Sequence, residues 1–225
     1  MTFGAEQSRS VEHMIAPASG QRCIGVILAG GANSRFEGRA KGLERVGERT
    51  IVERVADALR GATDDLLLVA SAPDANVWLT NVRVVSDVRP ERGSLVGVHT
   101  ALVRAGSAVL VAAWDMPFVS ARLLSALRQE GEAHDCAAVP VSAHGVEPLC
   151  AYYPAAALRI AERLLDEREM RLSAFVDALP CVRRLDGERL AAFGDASRMF
   201  FNVNDAESLS VARTMASADA VERRR

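Results

Sequence analysis

Asp115 stands two residues beyond the apolar run 108–113 and directly before Met116-Pro117. A carboxylate held at the end of a buried strand suits Mg²⁺, which proteins commonly hold with one or two carboxylates plus substrate phosphates. The same position also suits a carboxylate that caps a turn or the next helix. A second chemical stretch runs from Gly25 to Arg35 as GVILAGGANSR, with Lys41 close behind. Gly30 and Gly31 lack Cβ atoms, so their backbone can take φ > 0 and approach another group closely. Successive N–H groups in such a turn form a concavity for anions, and Arg35 and Lys41 add full charges where a phosphate chain would lie. Taken alone, this stretch fits an ordinary turn with solvated cations equally well.

Other chemistries lack their residues. Gly30-Gly31-Ala32 does not make the Gly-x-Gly-x-x-Gly dinucleotide fingerprint, and no Gly-Lys-Ser/Thr is present. Gly93-Ser94-Leu95-Val96-Gly97 carries its serine one position early for a nucleophile elbow. Cys23, Cys136, Cys150 and Cys181 are widely spaced, and each reads as a small apolar residue in a reducing, cytoplasmic setting. His13, His99, His134 and His144 show no metal-ligand spacing.

The elements that must position these groups alternate. Residues 26–28 form a continuous apolar run, the mark of a strand covered on both faces. A long loop is expected over 32–47. Thr50 then caps a helix with Ile51, Val55, Ala58 and Leu59 on one side. Further strands are expected at 66–70, 82–85, 108–113 and 137–141, with helices over 95–103 and 122–129, the second capped by Ser120. This order implies an α/β fold with crossover connections and a mainly parallel sheet. In such sheets ligands bind beyond the carboxyl ends of the strands, where the Gly30-Gly31 loop, Asp87 and Asp115 all fall. Beyond residue 141 a strand at 149–153 and helices at 155–165, 172–179 and 205–215 are expected.

The chain has 225 residues, 49% hydrophobic and 25% charged, with a net charge of −2. That balance supports a sizeable core and argues against a nucleic-acid or membrane-surface binder. No apolar run reaches the roughly 20 residues of a membrane span. Residues 1–21 read as a disordered tail without a secretory signal, residues 22–218 as one domain, and 219–225 as a frayed end.

Leu28-Ala29-Gly30-Gly31, then Arg35, then Lys41-Gly42-Leu43 resembles the signature loop of the molybdenum cofactor guanylyltransferases, the MobA family. Ser86-Asp87, Gly93 to Gly97, Trp114-Asp115-Met116-Pro117, Glu147-Pro148-Leu149 and Phe200-Phe201-Asn202-Val203-Asn204 stand in the matching order, so the resemblance covers residues 23–209. It departs at Ala40, at Ser94 and Val96, and at Trp114, whose position is usually small or Cys. The resemblance implies a three-layer α/β/α Rossmann-like nucleotidyltransferase fold. It implies a Mg²⁺-dependent transfer of GMP from GTP to the phosphate of molybdopterin, with release of pyrophosphate. Leu28, Ala29, Gly30, Gly31 and Asp87 would meet the nucleotide, Arg35 and Lys41 its phosphates, Asp115 the Mg²⁺, and Asn202 and Asn204 the acceptor. Other proteins of cofactor biosynthesis or molybdoenzymes are the transient partners it implies. Two alternatives remain open at this point: a related cytidylyl- or sugar-phosphate nucleotidyltransferase, and a non-catalytic nucleotide-binding subunit or chaperone.

Overall fold

The computed structural model describes residues 22–30, 35–36 and 39–222. The expected tail (1–21), Gly31 and the terminal arginines lie outside the described residues, as does the side chain of Arg35.

Strand β1 (Cys23–Ala29) is buried along its whole length. It is followed by two short hairpins, β2 (Arg35–Phe36) with β3 (Arg39–Ala40) and β4 (Arg45–Val46) with β5 (Arg49–Thr50). A 3-10 turn, Lys41–Leu43, lies between them. Within the region expected as one loop, residues 35–36, 39–43 and 45–46 thus form regular elements, too short to leave a hydrophobic period. Helix α1 (Ile51–Arg60) begins at a reciprocal cap: Thr50 Oγ1 accepts from the Glu53 N–H, and the Glu53 carboxylate accepts from the Thr50 N–H. The sheet then continues through β6 (Asp65–Ala70) and β7 (Arg83–Val85). After α2 (Ser94–Ala105) come β8 (Ala108–Ala113) and α3 (Ala121–His134). Ser120 caps α3 as expected, accepting from the Leu123 N–H.

Strand β9 (Ala137–Ser142) forms a hairpin with β10 (Gly145–Val146), and β11 (Cys150–Tyr153) follows. Helices α4 (Ala157–Asp166) and α5 (Leu172–Ala178) precede β12 (Val182–Leu185), which the sequence reading missed because Arg183 and Arg184 hide its apolar ends. Two short helices, α6 (Gly187–Ala191) and α7 (Ala196–Met199), lead to the long α8 (Ala206–Glu222).

The main sheet runs β10-β9-β11-β8-β1-β6-β7, with β12 pairing on β9. Strands β8, β1, β6 and β7 are parallel neighbours, as are β9 and β12, while β10 and β11 run antiparallel to theirs. Alternate side chains of β1 enter two cores: Ile27 packs under α1 and α3, whereas Val26 and Leu28 pack under α2, α4 and α5. This is the three-layer α/β/α architecture. Tight contact shows at Gly131 of α3, where a Cβ would lie 2.0 Å from the Tyr152 ring. A third apolar cluster seats α8 on the β4–β5 hairpin through Val46, Ile51, Val203, Leu209 and Ala212.

The reading of all four cysteines as plain apolar residues is corrected here. Cys136 and Cys181 form a disulfide that joins the starts of β9 and β12. The two residues are adjacent because the parallel pairing sets Ala137 beside Val182. Cys23 and Cys150 are buried free thiols; burial pushes Cys23 up to about 12 and Cys150 strongly upward.

Candidate active site

Three side chains converge beyond the carboxyl ends of β1 and β8. Lys41 Nζ donates to Asp115 Oδ2 at 2.6 Å and to Asn204 Oδ1 at 2.9 Å. The lysine side chain is 6% exposed and the aspartate 15%, so the pair is largely withdrawn from water. A buried ammonium of this kind persists only with such partners.

Each member is held by local structure. Asp115 leaves β8 through Trp114, whose N–H donates to the Leu28 carbonyl at 3.2 Å, and the Asp115 carbonyl accepts from the Val203 N–H at 2.9 Å. Asn204 stands at the start of α8, where its N–H donates to Ser208 Oγ, and Asp205 receives the Ser208 N–H. Phe118 and Phe201 approach with ring centroids 6.5 Å apart, and the Arg54 and Arg198 guanidiniums lie over the Phe118 ring. The loops carrying Asp115 and Asn204 are thereby fastened to each other.

Gly30 sits at the mouth of this cluster, solvent-exposed, and a Cβ built on it would meet nothing within 4 Å. Gly30 is absent from the described glycines with positive φ, so the freedom its missing Cβ allows is not used there for a left-handed backbone. Its openness leaves room for a ligand. Leu28 and Ala29 are buried as the last residues of β1, with the Leu28 carbonyl engaged by Trp114.

Two expected residues stand apart. Asp87 follows β7, two strands from β1, and accepts from Thr100 Oγ1 at 3.3 Å; the same hydroxyl accepts from the Val88 N–H at 3.1 Å. Desolvation by partial burial raises the Asp87 carboxyl above its ordinary value, opposed by the Thr100 bond, although the residue keeps solvent contact. Asn202 turns its amide back to the Phe200 carbonyl at 3.1 Å, a local bond of the kind Asn often makes. Thr100 escaped the sequence reading. Its signal is a hydroxyl on the apolar face of α2, fully buried among Val96, Val98 and Ala101.

Among the described residues no group of three His, Cys, Asp or Glu side chains could hold a metal ion. Mg²⁺ is commonly held by one or two carboxylates together with substrate phosphates. Asp115 fits that arrangement, because its Oδ1 is buried and has no hydrogen-bond partner among the described residues while Oδ2 holds Lys41.

Comparison with known proteins decides the family. A profile described as "MobA-like NTP transferase domain" matches residues 25–182. The chain belongs to the MobA-like NTP transferase family. The molybdenum cofactor guanylyltransferase of Desulfosudis oleivorans is 34% identical over 199 residues, covering 88% of this chain and 97% of that protein. A probable molybdenum cofactor guanylyltransferase of Pelotomaculum thermopropionicum is 35% identical over 198 residues, covering 87% and 94%. Among solved structures, the molybdopterin-guanine dinucleotide biosynthesis protein A of Archaeoglobus fulgidus superposes with a TM-score of 0.73 at 28% identity, over 87% of this chain and 99% of its own. This family member is thus a nucleotidyltransferase, and its Lys41–Asp115–Asn204 cluster lies where α/β sheets take ligands. Among the described residues no helix is long and apolar enough to cross a membrane.

Proposed function

We propose that this protein transfers GMP from GTP to the phosphate of molybdopterin, releasing pyrophosphate and giving the guanine dinucleotide form of the molybdenum cofactor. The observation that carries the reading is the Lys41–Asp115–Asn204 convergence, in a chain whose relatives bear the guanylyltransferase name. The reaction divides over the chain's own groups. Residues 28–31 receive the nucleotide, with Asp87 further out along the same sheet edge. Lys41 and Arg35 supply positive charge to the triphosphate. Asn204, at the amino end of α8, faces the acceptor, with Asn202 beside it in the chain. An oxygen of the molybdopterin phosphate attacks the α-phosphorus of GTP. The α–β bridging bond breaks, and its electron pair leaves on pyrophosphate. Such transfers ask the protein chiefly for positioning and charge stabilisation. Asp115 would hold Mg²⁺ together with substrate phosphates, and the bound ion would supply neutralisation of the charge that develops on the leaving group.

We propose a cytoplasmic setting for the reaction, with other cofactor-biosynthesis proteins or molybdoenzymes as transient partners for delivering and receiving the cofactor. The test incubates the protein with molybdopterin, Mg²⁺ and each nucleoside triphosphate in turn, and reads the product by mass. The guanine dinucleotide product, formed only with GTP, is expected. A preference for CTP refutes the guanylyl assignment while sparing the reaction class, and no transfer with any nucleotide refutes both.

A further inference from the structure

The chain has two tryptophans, and they lie against each other beneath the catalytic cluster. Trp78 and Trp114 stack with ring centroids 5.3 Å apart and an interplanar angle of 17°. Trp78 donates its indole N–H to Asp74 Oδ2 at 3.2 Å, which anchors the outer ring in the loop after β6. Trp114 is 1% exposed, and its own indole N–H has no partner among the described residues. Packing alone therefore fixes that ring. Packing is tight on the side facing the site: a Cβ on Gly42 would lie 2.3 Å from Trp114 Cε3 and 2.8 Å from Cδ2. Only glycine lets the backbone of the Lys41–Leu43 turn come down onto the indole.

We propose that Trp114, seated on Trp78, is a positioning residue that sets the height of the Lys41 turn and so aims the ammonium at Asp115 and the phosphates. This rests on the nucleotidyltransferase reading and extends it. Trp114 touches all three parts of the site. Its ring carries Gly42, its N–H holds the Leu28 carbonyl, and its peptide leads into Asp115. A swing of the indole would shift the lysine relative to the carboxylate, and a displacement of about 1 Å in such a constellation costs on the order of 100-fold in rate. Lysine stabilises charge that grows toward the transition state, so the loss falls on kcat more than on KM.

The test compares Trp114→Leu, Trp114→Phe and, from the turn's side, Gly42→Ala, each shown folded by far-UV circular dichroism. Trp114→Leu is expected to lower kcat about 100-fold with a smaller change in the KM for GTP. Trp114→Phe keeps a ring under Gly42 and should restore most of that rate. Without any substrate, acylation of Lys41 by a neutral amine-reactive ester, read by peptide mass, should quicken severalfold in Trp114→Leu and in Gly42→Ala. The exciton-coupled tryptophan band of the wild type should vanish in Trp114→Leu. Wild-type kcat and wild-type Lys41 labelling in both Trp114→Leu and Gly42→Ala overturn the proposal. A fall in kcat with unchanged labelling overturns it too, because the effect then does not run through Lys41. Should Trp114→Leu not fold, Gly42→Ala decides by the same two readouts. A wild type that turns over no GTP refutes the functional reading alone, since labelling and the exciton band still judge the stack.

Discussion

Replacing Lys41 by Met keeps an unbranched chain of similar length in the same slot and removes one charge. In the folded protein the ammonium spends two of its donors on Asp115 and Asn204, and both members of the ion pair are largely shielded. Removing one partner of a buried pair costs about 3–5 kcal/mol, mainly because the survivor is left uncompensated. Asp115 keeps 15% of its side-chain exposure, so some water reaches it and the lower end, about 3 kcal/mol, applies. For a chain of this size each kcal/mol moves Tm by about 2–4 °C, giving an expected drop of about 6–12 °C. Combining Lys41→Met with Asp115→Asn removes both charges, and the double variant should recover most of the loss. The assay is thermal and urea unfolding of the wild type, both singles and the double, in low salt. A Lys41→Met protein as stable as the wild type would falsify the buried-pair argument. A double variant that merely sums the two single losses would do the same, since it shows no coupling.

Thr100→Val removes the hydroxyl that holds the Asp87 carboxylate, and that bond opposes the upward push of desolvation. Asp87 should therefore titrate at still higher pH in the variant, followed by carboxyl NMR; a downward move would contradict the assignment. Because the folded Asp87 binds its proton more tightly than the unfolded chain, its contribution to stability is complete below the unfolded value. It is lost as pH rises through the folded one; Asp87→Asn should abolish that part of the pH profile of unfolding. Reduction of Cys136–Cys181, which spans 45 positions, should cost about 4 kcal/mol on the chain-entropy account. Calorimetry with and without reductant reads it, and kcat should hold because the bond lies at the opposite end of the strands from Asp115. Gly131→Ala forces a methyl into the Tyr152 ring and should cost about 1–3 kcal/mol, with an unchanged melting curve as the contrary result.

How much of this was legible in the sequence follows from what leaves a local trace. Strand β1 was readable because both its faces are covered, which makes its apolar run continuous. Thr50 and Ser120 announced their helices through cap chemistry that acts within three residues. The hairpins around Lys41 and the short helices α6 and α7 are too brief to carry a period. The Cys136–Cys181 bond depends on strand pairing across 45 positions, and widely spaced cysteines do not state their connectivity. Within the site, residue type marked Lys41, Asp115 and the two asparagines, while side-chain direction separated Asn204, which reaches the lysine, from Asn202, which turns back on its own loop. The indole beneath Gly42 was invisible for the same reason: a glycine and a tryptophan 72 positions apart hold no common pattern until the sheet folds.

Lys41 meets Asn204 across 163 positions of chain, and Arg213 grips the Arg45 carbonyl across 168. Polypeptides are synthesised from the amino end, and their early portions begin to fold before the rest has left the ribosome. Lys41 and Asp115, one within and one just past the stretch from β1 to β8, are both synthesised well before α8. Asn204 and the helix behind it are synthesised after every strand of the main sheet. A chain released before residue 204 therefore holds every strand of the sheet and lacks the third partner of the Lys41–Asp115 pair.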